Sequence, residues 1–508
     1  MMITPLSLMK WPVCVGLLLA GGLACLPPSP PDEGERRRDR QSGEGEGEGE
    51  GEGEGEGEGG IDDPAAIEAA LRGAGIVGVR QVFAEYGDTL AFELLIEQPL
   101  DHDNPDSRTF LQRAMLVHRH VRAPMVLNPT GYMLFQGYEQ LPEELTSMLL
   151  ANQLQVEHRF FGYSMPEDIA PEDWAHLTVR QSAADHHRIV SLLKPLYQDA
   201  WLETGHSKGG MTSVFHHVLY PDDVDAVVAY VAPISFAIND RRGQPFLANI
   251  GDPSCRELIR AYQANAADQR ATIADIMQGA TPSLTREQLE AYFATVVGSI
   301  EWGYWQYSSG CADASFYVGN TDPVITAAEL GLDYNLGGLP LDLPTSFIAY
   351  SHQVQHELGQ PDQRSAHLSP RFDDIDDAPF AAYLDMPLPF TVPTYDDGAA
   401  MRDIQERVLA HDDIVFVYGG FDPWSAVPFD AGVAGNVSVT AAGLNHGALL
   451  LDLDPADRDA ALDVVLQATG VNVAGSGFFA SSHLDQARWR EVRAAARAHY
   501  ATRAGLRP

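Results

Sequence analysis

The stretch Trp201 to Pro233, WLETGHSKGGMTSVFHHVLYPDDVDAVVAYVAP, reads as strand, sharp turn, helix, turn, strand. Ala200 to Thr204 fits a buried strand. Lys208 to Leu219 fits a helix, and Tyr220-Pro221 stops it, because proline has no N–H to donate and restricts the residue before it. Val227 to Val231 is a short apolar run with β-branched side chains, as a parallel sheet covered on both faces requires. At the sharp turn stands Gly205-His206-Ser207-Lys208-Gly209, a G-x-S-x-G pentapeptide. The pentapeptide alone recurs by chance in many chains. Between a buried strand and a helix it has a physical meaning: small flanking residues let strand and helix approach, and the serine is held strained with its hydroxyl exposed.

Outward from this stretch, strands alternate with helices. Thr89 to Glu97, Thr109 to Val117, Pro124 to Asn128 and Gln153 to Glu157 read as strands, and Val179 to Tyr197 as a long helix. After residue 236 the pattern changes. Cys255 to Met277, Leu284 to Trp305 and Pro344 to Leu358 are amphipathic helical stretches without buried-strand runs between them. The alternation resumes with a helix over Ala399 to Leu409, strands at Ile414 to Tyr418 and Val437 to Ala441, and a helix over Pro455 to Thr469. Ser482 to Ala504 reads as a basic outer helix. The expectation is a mainly parallel α/β sheet, with residues 61–235 and 397–508 forming one core and residues 236–396 a helical cap inserted into it.

A serine hydroxyl needs a base within hydrogen-bond reach, and the base needs an acid to orient it. On an α/β-hydrolase fold the chain order is serine, acid, histidine, each after a strand. Asp422 follows the Ile414 to Tyr418 strand within Gly-Gly-Phe-Asp-Pro-Trp. His446 follows the Val437 to Ala441 strand within Gly-Leu-Asn-His-Gly. Either residue alone reads as a turn or loop residue; three in order at strand ends read as a triad of Ser207, Asp422 and His446. Its oxyanion hole would use the backbone N–H of Lys208 and one from the loop after Met125 to Asn128, with Tyr132 the best-placed donor. No metal or other cofactor is expected. His352 and His356 have helical chelate spacing but lack the glutamate of H-E-x-x-H. The neighbours His186-His187 and His216-His217 point in different directions and cannot chelate one ion as adjacent residues.

The chain of 508 residues carries 33 basic against 71 acidic side chains, a net charge of -38, which argues against nucleic acid or an anionic membrane surface as partner. Part of that charge is local, in the Gly-Glu repeat of residues 43–60. Residues 1–25 read as an export signal, with an apolar run too short to span a bilayer comfortably. Gly22-Leu23-Ala24-Cys25 resembles a lipobox, which would make Cys25 the lipidated residue; a simple signal cut near Ala24 is the alternative. Residues 26–60 are a glycine- and charge-rich tether. Membrane contact is expected only through that anchor. In an exported chain Cys255 and Cys311 form an even pair, expected either as a disulfide worth about 4 kcal/mol in the chain-entropy model or as two buried thiols.

Several longer motifs resemble those of the secreted bacterial prolyl tri- and tetrapeptidyl aminopeptidases, serine exopeptidases related to the lysosomal Pro-X carboxypeptidases. They are Gln98-Pro99-Leu100-Asp101-His102, Val156-Glu157-His158-Arg159-Phe160-Phe161, Ser207 to Thr212, Tyr220 to Asp225, Asp422-Pro423-Trp424 and Asn445-His446-Gly447-Ala448. The resemblance spans about Ala91 to Gly470. It implies an α/β-hydrolase fold with a helical cap, a peptide substrate, and release of a short N-terminal peptide after proline. Two positions depart from the pattern: Thr130 stands where that family often carries glutamate, and His206 where it often carries glycine. An exopeptidase must read a free amine, for which a carboxylate is the natural partner. Glu157 is a candidate for that role or for a structural ion pair with an arginine. Trp424 is a candidate platform for a proline ring or a core residue. An esterase on the same scaffold is the competing reading.

Overall fold

The structure, a computed structural model, describes residues 62–85, 89–135, 137, 139–280, 285–308, 322–323, 326, 345–372, 390–391 and 393–470. The signal segment with Cys25, the Gly-Glu tether, Cys311 and the expected C-terminal helix lie outside the described residues.

Nine strands form one sheet in the spatial order β1-β2-β3-β5-β4-β6-β7-β8-β9. They are β1 (Gly78–Val82), β2 (Leu90–Pro99), β3 (Thr109–His118), β4 (Met125–Pro129), β5 (Asn152–Val156), β6 (Trp201–His206), β7 (Ala226–Tyr230), β8 (Ile414–Gly419) and β9 (Val437–Ala441). β1, β2, β3 and β5 pair antiparallel, and every pairing from β5 through β9 is parallel. β4 lies between β5 and β6, so the chain leaves it on one side and returns on the other. Such a reversal opens a crevice at the carboxyl ends of the strands, where α/β proteins place their ligands. The topology is that of an α/β-hydrolase, as expected.

The central strands are buried on both faces, and alternate residues feed two separate cores. Trp201, Val227, Ala229 and Phe416 face one side, packing with helices α1 (Pro64–Gly73), α3 (Val179–Leu193) and α4 (Lys208–Leu219). Leu202, Val228, Val415 and Val417 face the other side, with α2 (Glu144–Leu149) and the C-terminal described helix, Pro455–Thr469. Helix starts follow their caps: Thr178 accepts from Gln181 N–H at α3, and Asp454 accepts from Ala456 and Asp457 at Pro455–Thr469.

Between β7 and β8 run α5 (Gln244–Asn249), α6 (Pro253–Asp268), α7 (Arg270–Ala280), α8 (Arg286–Tyr307) and α9 (Thr345–Gln353). The stretch expected as one helix from Cys255 is two, α6 and α7, broken at Gln269. α5, α6, α7 and α8 bury a third core around Trp302, Trp305 and Phe293. Cys255 is fully buried in it. Among the described residues no helix is long and apolar enough to cross a membrane.

Candidate active site

Ser207 joins β6 to α4 with φ 55° and ψ −122°, a left-handed backbone that a serine adopts only under constraint. Its N–H donates to Tyr230 O at 2.9 Å, and its carbonyl accepts from Met211 N–H at 2.9 Å, so both sides of the strained residue are tied down.

Asp422 and His446, chosen from sequence as strand-end residues, come together. Asp422 Oδ2 lies 2.9 Å from His446 Nδ1. The ring N–H is not well aimed at that oxygen, so the contact is a close approach and not a well-formed hydrogen bond. Asp422 is fully buried and caps a short 3₁₀ turn, Pro423–Ala426, accepting from Trp424 N–H at 3.2 Å and Ser425 Oγ–H at 2.9 Å. The two loops interlock through Phe421 N–H to Leu444 O at 2.8 Å. The backbone N–H of His446 donates to Gln306 O on α8 at 3.1 Å, so the inserted helices also hold this loop.

The loop after β4 abuts the elbow. Gly131 has φ +73°, and a Cβ there would lie 2.7 Å from the backbone of Lys208 and Gly209. This close approach sets Tyr132 beside Lys208, the two expected oxyanion donors. The Tyr132 N–H faces Thr130 Oγ1 at a long 3.3 Å. The Lys208 side chain, which sequence reasoning left without a role, folds back and donates from Nζ to Gly131 O. Its ammonium lies 5.3 Å from the Tyr132 ring and 4.9 Å from the Phe161 ring. Burial holds its pKa well below the lysine range, against a rise from nearby Glu357. Burial also lifts the Glu357 carboxyl to about 8, although it accepts from Val179 N–H.

Glu157 is fully buried. Oε1 accepts from Leu134 N–H at 2.9 Å; Oε2 accepts from Ser164 N–H and Oγ–H, both at 2.8 Å. Burial raises its pKa and these bonds pull it back. His158 N–H donates to Tyr132 O at 2.9 Å. The geometry therefore makes Glu157 and His158 braces of the Gly131–Leu134 loop, with Arg113 acting on Glu157 only through its charge. Arg159 completes the motif as a buried fork on Asp185: Nε to Oδ2 and Nη2 to Oδ1, each 2.7 Å, with Nη1 donating to Leu100 O and His176 O. Thr130, where the resemblance leads one to expect glutamate, is buried, and its hydroxyl bonds the backbone carbonyls of Tyr132 at 2.7 Å and of Val156 on β5 at 3.1 Å.

Trp424 is mostly buried, edge-on to Trp302 at 5.3 Å, and its ring lies 6.4 Å from that of His446. It belongs to the core of the inserted helices while bordering the His446 loop. His206, stacked on Tyr230 at 4.4 Å, leads to a feature the motifs did not signal. Tyr230 Oη donates to Glu144 Oε2 at 2.7 Å, and the same carboxylate accepts from Leu450 and Leu451 N–H, both at 2.9 Å. Glu144 thus ties the residue before the serine to the loop just after His446. Burial lifts its pKa to about 7.

The family model described as PS-10 peptidase S37 matches residues 63–487. A prolyl tri/tetrapeptidyl aminopeptidase from Streptomyces mobaraensis is 33% identical over 395 residues, 74% of this chain and 79% of that one. A thymus-specific serine protease from Mus musculus is 31% identical over 163 residues, 28% of this chain and 31% of that one. Among solved structures, proline iminopeptidase from Mycobacterium smegmatis is similar at 14% identity and a TM-score of 0.29, across 77% of this chain and 99% of that one.

Proposed function

The chain belongs to the peptidase S37 family and is a serine peptidase of α/β-hydrolase type, and on that premise we propose that it releases short peptides from free N-termini by cleaving after proline. Ser207 Oγ attacks the scissile carbonyl while His446 Nε2 takes its proton. Asp422 keeps the imidazole oriented and stabilises the imidazolium. The N–H groups of Lys208 and Tyr132 receive the oxyanion. The imidazolium gives its proton to the leaving amine, and water then hydrolyses the acyl-enzyme by the same steps. The observation that carries this reading is the 2.9 Å approach of buried Asp422 to His446, on the loops after β8 and β9, together with the strained backbone of Ser207 at the turn after β6 of the same sheet.

A second reading, an acyl hydrolase that does not select a free amine, is favoured by one observation. Both oxygens of Glu157 are already occupied by backbone and hydroxyl donors, so it has little left to offer a substrate amine. The proposal also includes export directed by residues 1–25, lipid attachment at Cys25 or release after cleavage near it, and a Cys255–Cys311 disulfide. Intact mass with and without reductant tests the disulfide.

Hydrolysis of Ala-Ala-Pro-anilide with a free N-terminus, compared with the N-acylated peptide and with Ser207→Ala as control, decides between the readings. Cleavage of the free peptide alone, lost in Ser207→Ala, supports the exopeptidase. Equal cleavage of both supports the broader hydrolase. Cleavage that persists in Ser207→Ala overturns the assignment of the nucleophile.

A further inference from the structure

We propose that His186, Glu203 and His216 form a structural site for a divalent transition-metal ion, zinc by ligand type, behind the elbow between α3, β6 and α4. The three side chains come from three elements and are all fully buried. One ligand atom from each lies within 4.8 Å of the others. One histidine of each adjacent pair contributes, so the objection to chelation by sequence neighbours does not apply.

The hydrogen bonding points to an ion. His216 Nδ1 faces Glu203 Oε2 at 2.7 Å, while its Nε2 bonds Asp223 Oδ2 at 3.0 Å. Asp223 Oδ2 is held in turn by His187 Nδ1 at 2.7 Å. A ligating histidine whose second nitrogen donates to a carboxylate is the usual outer-shell arrangement of a bound metal. A metal-free network leaves clear deficits: both ring nitrogens of His186 and Oε1 of Glu203 are buried without a hydrogen-bond partner. Buried polar groups left unpaired are costly, and native proteins rarely keep several together. An ion about 2.0–2.1 Å from each nitrogen and 2.0–2.2 Å from a carboxylate oxygen would engage His186 and bring Glu203 Oε1 into the coordination. Imidazole and carboxylate in a four-coordinate cage suit zinc. Glu203 precedes the elbow on β6 and His216 follows it on α4, so the ion would cross-link the strand and helix that hold Ser207.

Because the site is fully enclosed, the ion is taken up as the chain folds. The full chain is therefore produced with added Zn²⁺, or refolded with it, and dialysed against metal-free buffer before elemental analysis. The expected result is about one zinc per chain. The zinc should be lost in His186→Gln and kept in His217→Ala, which removes a residue of the only other such cluster among the described residues, His217, His411 and Asp413. Asp223→Asn keeps every direct ligand and should weaken binding by about 10- to 100-fold. Refolding with Co²⁺ should give the visible absorption of a tetrahedral site, a readout that survives if His186→Gln does not fold. Three results overturn the proposal: metal-free protein after refolding with Zn²⁺, zinc retained in a folded His186→Gln, or zinc lost from His217→Ala alone.

Discussion

Replacing Glu144 by glutamine should change how stability depends on pH. The carboxyl is buried on α2, accepts three hydrogen bonds, and has Asp452 near enough to oppose its ionisation. Folded, it keeps its proton up to about 7; the reference value of 4.5 describes the unfolded chain. Between those values unfolding releases a proton, so stability falls as pH rises. At about 1.4 kcal/mol per pH unit, Glu144 alone removes about 3 kcal/mol across that window, a large part of the 5–15 kcal/mol typical of a folded domain. Glutamine cannot ionise. It keeps one acceptor oxygen but turns an NH₂ toward a donor, costing about 1–3 kcal/mol at every pH. Urea midpoints of both proteins, followed by tryptophan fluorescence, should therefore show Glu144→Gln clearly weaker at pH 4.5. The gap should shrink by about 3 kcal/mol, to near zero or reversed, by pH 7.5. A gap of equal size at both pH values would refute the argument that this carboxyl is buried and proton-bound.

Gly205→Ala should prevent the elbow from closing, because its Cβ would lie 2.4 Å from the Gly209 carbonyl carbon; loss of soluble protein, or of labelling of Ser207 by a fluorophosphonate, is the check. Arg159→Met removes the charge partner of Asp185 and the bonds to Leu100, His176 and Pro99, and a broken buried pair costs about 3–5 kcal/mol, to be read as a fall in the urea midpoint. Lys208→Met keeps the length of the side chain but loses the bond to Gly131 O. A displaced oxyanion loop should lower kcat by about 10- to 100-fold with little change in KM, while stability holds or rises because a buried ammonium is removed. A fall in the urea midpoint with unchanged kcat would sink that prediction.

Much of this protein is legible in its sequence because the signals are local. Lys208 to Leu219, Val437 to Ala441 and Pro455 to Thr469 come out with the bounds the residues suggest, set by Pro221, by β-branched alternation, and by Asp454 before Pro455. Asp422 and His446 can be chosen because strand ends are readable and a parallel sheet brings strand ends to one edge. β1 was not evident: Gly78 to Val82 is a short edge strand with little buried surface, so its pattern is weak. Six-residue α2 is too brief for periodicity to register, and the break at Gln269 has no proline or glycine to announce it.

What the tertiary structure alone decided is where polar side chains end. Glu157 is a carboxylate in sequence whether it holds an amine or a loop; only the backbone donors of Leu134 and Ser164 around it show which groups it serves. Lys208 is a surface-type residue by composition, yet the turn at Ser207 buries it against Gly131. Glu144 reaches Leu450 and Leu451 across the fold, and His186 meets Glu203 and His216 from separate elements. Periodicity and motif spacing report short-range constraints along the chain. The partner of a buried charge is chosen by packing between elements distant in sequence, which no local pattern encodes.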